Sequence, residues 1–144
     1  MSNEANIDVV VTHRFAASPE RVFDAFLDVE KARHFLFATP EGEMVKCEID
    51  PKVGGQFVMT DRRADGDVEH VGEYKVLDRP SRIVFEYGIP AFTPDVSQVT
   101  IEIAAHEGGS EVTLTQVLTP EWKDYAERTQ KGWTMMLANL EKTL

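Results

Sequence analysis

The chain closes on KGWTMMLANLEKTL, residues Lys131 to Leu144. Trp133, Met136, Leu137, Leu140 and Leu144 recur there at i, i+3, i+4, i+7 and i+11. A period of 3.6 residues puts all five on one face of an α-helix. Upstream, LTPEWKDYAERTQ supplies the helix start, with Thr119 as N-cap, Pro120 at the first helical position and Glu121 in the first turn. An unbroken helix from Pro120 to about Thr143 would be roughly 36 Å long at 1.5 Å per residue. A globule of this size has a radius of gyration of about 14–15 Å. Such a helix crosses nearly the whole molecule, and its apolar face needs a large partner. Gly132, inside it, costs about 1 kcal/mol relative to alanine and suggests a close backbone approach or a bend.

The partner is a sheet. Between residues 43 and 118 the pattern changes to short alternating runs separated by turns: EMVKCEI, QFVMTDR, VEHVGEYKVL, RIVFEY, SQVTIEIAAH and EVTLTQVL. The separators DPKVGG, ADGD, DRPS, GIPAFTPD and EGGS are turn chemistry. Successive strands joined in this way make an antiparallel meander. Before it, IDVVVTHRF is a β-branched strand. AASPERVFDAFLD then starts a helix at Ser18 and Pro19 with Val22, Phe23, Phe26 and Leu27 on its apolar face, and VEKARHFLF makes a second short helix ending before ATPEG. The order is strand, two short helices, six strands and one long helix. An antiparallel sheet with one apolar face must cover it, and only the C-terminal helix is big enough. The fold class is therefore α+β: a curved antiparallel sheet of about seven strands gripping a long C-terminal helix.

With 144 residues the chain is read as one domain, residues 1–144, long enough to bury roughly 68–70% of its unfolded surface. Its formal charge of −10, from 25 acids against 15 bases, argues against a nucleic-acid partner, which needs clustered Lys and Arg. Cys47 is the only cysteine, which fits a reducing compartment. MSNEANIDVV lacks the basic and apolar regions of a signal peptide, and no apolar run approaches the ~20 residues of a membrane span. A cytoplasmic protein without membrane insertion is expected.

In this order the residues resemble the helix-grip superfamily of START and Bet v 1-like proteins. Within it the chain is most similar to the family named for activator of Hsp90 ATPase homologue 1. The segments that carry the likeness are HRFAASPERVFDAF, DPKVGGQFVM, DGDVEHVGEYKVLDRPSRIVFEY, EGGSEVTLTQ and GWTMMLANLEKTL, covering nearly all of residues 7–144. The chain departs from the pattern after the first helix, where HFLFATPEG, with Phe35 and Phe37, stands in place of a tryptophan-rich segment. The resemblance implies a helix-grip fold with a space between sheet and helix. It covers co-chaperone domains, lipid carriers and polyketide cyclases, so it fixes the fold far better than the activity.

Candidate residues follow from strand and helix parity. Trp133, Met136 and Leu137 form one wall of the expected space; tryptophan and methionine both suit irregular apolar walls. Phe57 and Met59 share a face of their strand, as do Phe85 and Tyr87 with Ile83, giving the opposite wall. Val99, Ile101, Ile103, Val112 and Leu114 continue it. Phe26 on the first helix and Phe37 after the second complete the lining. The same side chains could equally fill the gap as core. His70, in parity with Gly72 and Tyr74, and Gln116, in parity with Val112 and Leu114, are the polar candidates for contact with a ligand. His13, His34 and His106 are expected to be structural or exposed, and no histidine pair has metal-ligand spacing. Asp61, Arg62 and Arg63 are read as a solvated hairpin end.

No catalytic motif, phosphate loop, metal site or cofactor signature is recognisable, so an enzyme has no positive support. The leading expectation is a binding protein for a small apolar or amphipathic molecule held between sheet and helix. A chaperone-like protein-interaction module is the second expectation, and a cyclase-like or hydrolase-like enzyme is the third. The three differ in what they require: an apolar cavity, a filled interior with an exposed patch, or converging polar groups. A homodimer is compatible with the sequence, but no segment specifies it.

Overall fold

The strands broadly alternate as the sequence dictates, with register shifts between Met44 and Lys46 and between Tyr74 and Val76, and the inward rows align across one seven-stranded antiparallel sheet. The computed structural model describes residues 5–39 and 41–144. The turn expected at ATPEG contains Pro40, which lies outside the described residues. The strands are β1 (Ile7–Phe15), β2 (Glu43–Ile49), β3 (Gln56–Arg63), β4 (Gly66–Asp78), β5 (Arg82–Gly88), β6 (Ser97–His106) and β7 (Gly109–Leu118). Their spatial order is β1-β7-β6-β5-β4-β3-β2. The last six strands form the expected meander, and β1 closes on β7 from Ile7 opposite Leu118 to Phe15 opposite Ser110.

Registry builds the core in rows. Val11, Leu114, Ile101 and Ile83 lie opposite one another across β1, β7, β6 and β5, and all four are buried. Burying a branched aliphatic side chain of this kind contributes about 1.5–3 kcal/mol. A second row runs Tyr87, Gly72, Phe57, Ile49 from β5 to β2. Gly72 belongs there because a Cβ would collide with the Phe57 ring, which lies across its backbone. The β6–β7 hairpin turns through Glu107 (φ 46°) and Gly108 (φ 85°). Two consecutive left-handed residues give the primed turn whose twist matches the flanking strands.

Two short helices cover one end of the sheet. Helix α1 (Pro19–Leu27) starts at Ser18, whose Oγ accepts from the Arg21 N–H at 3.3 Å. Asp28 ends α1 and caps α2 (Val29–Ala32), accepting from the Glu30 N–H at 2.9 Å. One residue thus serves both helices and fixes the bend between them. Val22, Phe23, Ala25 and Phe26 are the buried face of α1.

The C-terminal helix α3 covers Ala126–Thr143, and a 3-10 segment occupies Pro120–Tyr125 before it. This corrects the expectation of an unbroken helix from Pro120. The Thr119 hydroxyl donates to the Glu121 carboxylate at 3.0 Å instead of capping the backbone, while the Trp122 N–H bonds the Thr119 carbonyl at 2.9 Å. That i to i+3 bond tightens the entry into a 3-10 turn. Trp133, Leu137 and Leu140 are buried, with Met136 and Leu144 half-buried against them. Gly132 does not serve a close approach: a Cβ there would meet only the Met136 methyl, at 3.9 Å.

Candidate functional site

Buried side chains pack between sheet and helix, and a cleft opens at one end of the grip. Phe57, Met59, Phe85, Trp133 and Leu137 are all buried on the walls that parity assigns them, and Met136 is half-buried beside them. Phe26 lies farther along, edge-on to Phe35 with ring centroids 5.3 Å apart. Phe37 enters this space from the loop after α2. Its ring lies 4.4 Å from His70, 4.7 Å from Tyr87 and 5.5 Å from Trp133.

The polar candidates do turn inward. Gln116 accepts two hydrogen bonds at Oε1, from Trp133 Nε1 at 2.7 Å and from the Tyr87 hydroxyl at 3.2 Å. Indole N–H can only donate, so it fixes which way the amide points. Burial pushes the Tyr87 hydroxyl up to about 12, so it stays protonated. His70, opposite Met59, is 5% exposed. Burial, and then the nearby Arg63 guanidinium, hold its imidazole down at about 4, against weaker opposing effects of the Met59 and Val68 backbone and of Asp61. It is neutral at pH 7.

Asp61 corrects the expectation of a solvated hairpin end. It is fully buried, accepts from the Thr39 hydroxyl at 2.7 Å and from Arg63 Nε at 2.9 Å, and lies against Gly42, where any side chain would strike the carboxylate. Its place in the sequence already carried the signal, since Phe57, Met59 and Asp61 share one strand face. Arg62, on the opposite face, does pair at the surface with Asp67 at 3.0 Å.

The opening is a cleft of about 850 Å³ bounded by the β3–β4 hairpin, the loop after β5, the 3-10 segment and the first turn of α3. Of the residues singled out in the sequence as lining, only Tyr87 borders it. Sequence reasoning missed the rest of its wall: Phe92, Trp122 and Tyr125. These three form a chain of rings, Phe92 to Trp122 at 5.9 Å and Trp122 to Tyr125 at 5.4 Å, both steeply inclined. Trp122 Nε1 donates to the Asp95 carboxylate at 3.1 Å, anchoring the 3-10 segment to the loop. The Arg128 guanidinium sits 5.5 Å above the Tyr125 ring and has no acidic partner among the described residues. Apolar rings on one side and unpaired charge at the rim suit a molecule with two unlike ends.

Among the described residues no three His, Cys, Asp or Glu side chains come together in a way that could hold a metal ion. Among the described residues no helix is long and apolar enough to cross a membrane.

Solved structures share this architecture closely. A Chromobacterium violaceum protein superposes with a TM-score of 0.83 at 24% identity, over 94% of each chain. A Rhizobium loti protein gives 0.80 at 25% identity, over 97% of this chain and 98% of its own. An Aeromonas hydrophila protein described as AHSA1-like gives 0.79 at 21% identity, over 95% of this chain and 91% of its own. No curated protein matches the chain. The model of the family described as activator of Hsp90 ATPase homolog 1-like protein matches residues 16–144. With its seven-stranded grip and that match, the chain belongs to the activator of Hsp90 ATPase homolog 1-like family.

Proposed function

We propose that the protein binds a small amphipathic molecule in the cleft at the mouth of the grip. The observation that carries this reading is the ring wall of Phe92, Trp122 and Tyr125 facing an open space of about 850 Å³. That volume lies within the roughly 300–1,000 Å³ typical of small-molecule sites. Apolar burial against the rings supplies the driving force, about 25 cal/mol per Å² before association costs. Arg128 and Asp95 at the rim orient the polar end. This reading moves the ligand from the buried space expected between sheet and helix to its mouth.

The test is native mass spectrometry of the purified protein, followed by organic extraction and identification of what is released. A stoichiometric small molecule, lost in Trp122→Ala, supports the reading. A clean apo mass, with no uptake of an added long-chain fatty acid, sinks it.

One observation favours a second reading. Phe92 is 57% exposed, and Val96 and Tyr125 on the same rim are also exposed, an apolar patch of the kind that proteins dock on. The family takes its name from an activator of a chaperone ATPase, a role that works through protein contact. Under this reading Val96→Ser abolishes partner capture while ligand retention stays unchanged.

A further inference from the structure

The sheet has two end strands, and they are treated differently. Beside β1 lies α3, joined to it where His13 Nε2 and the Glu141 carboxylate are 3.2 Å apart. Strand β2 ends the sheet on the other side, and among the described residues no strand pairs with its outer edge. Helix α2 stands off from it across a cleft of about 190 Å³, with Val29 and Arg33 on the helix side and Val45 and Cys47 on the strand side. An edge left open in this way carries a row of unpaired N–H and C=O groups.

The backbone shows which residues offer those groups. The Asp50 N–H bonds the Gln56 carbonyl at 2.9 Å, toward β3. Alternate residues of an antiparallel strand direct their backbone groups to opposite sides. The register shift lies between Met44 and Lys46, so the alternation runs undisturbed from Lys46 onward. Lys46 and Glu48 therefore spend their backbone groups on β3, whereas Cys47 and Ile49 present theirs at the open edge. Side chains follow the other alternation. Met44, Cys47 and Ile49 pack against the core, while Lys46 and Glu48 are exposed on the outer face with their charged groups 4.0 Å apart.

Together these two patterns select a register for a second copy of the same strand. Outward-pointing backbone must meet outward-pointing backbone, so the antiparallel registers differ by steps of two. Centred on Lys46, lysine lies opposite lysine; centred on Glu48, glutamate lies opposite glutamate. Like charges directly opposite are destabilising. Centred on Cys47, each Lys46 lies opposite Glu48 of the other copy, and a two-fold axis makes both ion pairs at once. The Cys47 backbone groups of the two copies then bond reciprocally, and Val45, 40% exposed, comes level with Ile49.

We propose that β2 is a homodimerisation edge, pairing antiparallel with β2 of a second copy about a two-fold axis at Cys47. A lysine or a bulge on an edge ordinarily wards off pairing. Here the lysine has its counter-charge two residues along, so the same charges that repel in the neighbouring registers attract in this one. One strand pair buries less than the roughly 1,200 Å² of stable complexes, so the dimer is weak and concentration-dependent. It is independent of the mouth cleft, whose wall holds no β2 residue.

The experiment is sedimentation velocity over a dilution series, on the full chain and on Lys46→Glu, Glu48→Lys and the double variant. The wild type is expected to pass from monomer to dimer as concentration rises. Each single variant turns both ion pairs into like-charge contacts and should weaken the dimer about tenfold. An equimolar mixture of the two single variants restores both ion pairs across copies, and the double variant restores them within a homodimer. Both are expected to associate as the wild type does. Amide exchange provides a second readout: protection at Cys47 and Ile49 should rise with concentration, while Glu48, already bonded to β3, stays constant. A wild type that remains monomeric throughout overturns the proposal. Single variants that dimerise as tightly as the wild type place the contact elsewhere and overturn it too. A mixture that fails to recover association, or a dimer that leaves Cys47 exchange unchanged, overturns this register.

Discussion

Replacing His70 with phenylalanine should flatten the acid limb of the protein's stability curve. The imidazole is held at about 4 in the folded chain, whereas in the unfolded chain it titrates near its ordinary value of about 6.5. Between these values the unfolded state binds the extra proton, so acid favours unfolding. The stability tied to neutral His70 is fully present above pH 6.5 and drains away as pH falls toward 4. A single site with these two values contributes a loss of about 2 kcal/mol by pH 5 and about 3 kcal/mol by pH 4. Phenylalanine keeps a flat ring against Phe37 but has nothing to protonate. The charged and titratable groups facing His70 are Asp61 and Arg63 on β3 and Tyr87 on β5. They are present in both proteins, so they cancel in the difference. Urea melts from pH 7 to 4 on both proteins, compared at each pH, isolate the term. Parallel curves, with a constant gap between wild type and variant, would refute the burial argument.

Other expectations follow from single residues. Gly132→Ala should stabilise the protein by about 0.5–1 kcal/mol, read as a raised Tm, because its Cβ meets only the Met136 methyl, at an ordinary 3.9 Å, and the unfolded chain loses freedom. Gln116→Leu strands Trp133 Nε1 and the Tyr87 hydroxyl together. It should cost about 1–3 kcal/mol for each donor left unpaired, measured by denaturant unfolding.

The sheet was legible because its signal is local and repeated. A period of two is clearest in β1, β6 and β7, and turn chemistry marks each reversal. The helix start was half-legible: Thr119 and Pro120 announce it, but a competing bond from Thr119 to Glu121 tightens the first turn into a 3-10 segment. Asp61 was legible by parity and was misread because charge was weighed above position. The mouth cleft was not legible. Phe92, Trp122 and Tyr125 lie on a loop and a 3-10 segment that no periodicity joins, and only the closed sheet brings them together. Phe37 was picked out as an aromatic residue near the interior. Its left-handed backbone has no sequence signature outside glycine and asparagine, so the burial of its ring follows from the fold and not from the local pattern.

The pairing of β1 with β7 governs how the chain can be made. Six strands of the meander pair with sequence neighbours and can zip as they emerge. Strand β1, synthesised first, has its partner near the other end, with Ile7 opposite Leu118. Joining them closes the longest loop in the sheet, an entropic cost met before the contacts reward it. During translation β1 and the two short helices must therefore wait, apolar faces unburied, until β7 and then α3 have left the ribosome. Of the seven strands, the earliest made is among the last to find its place.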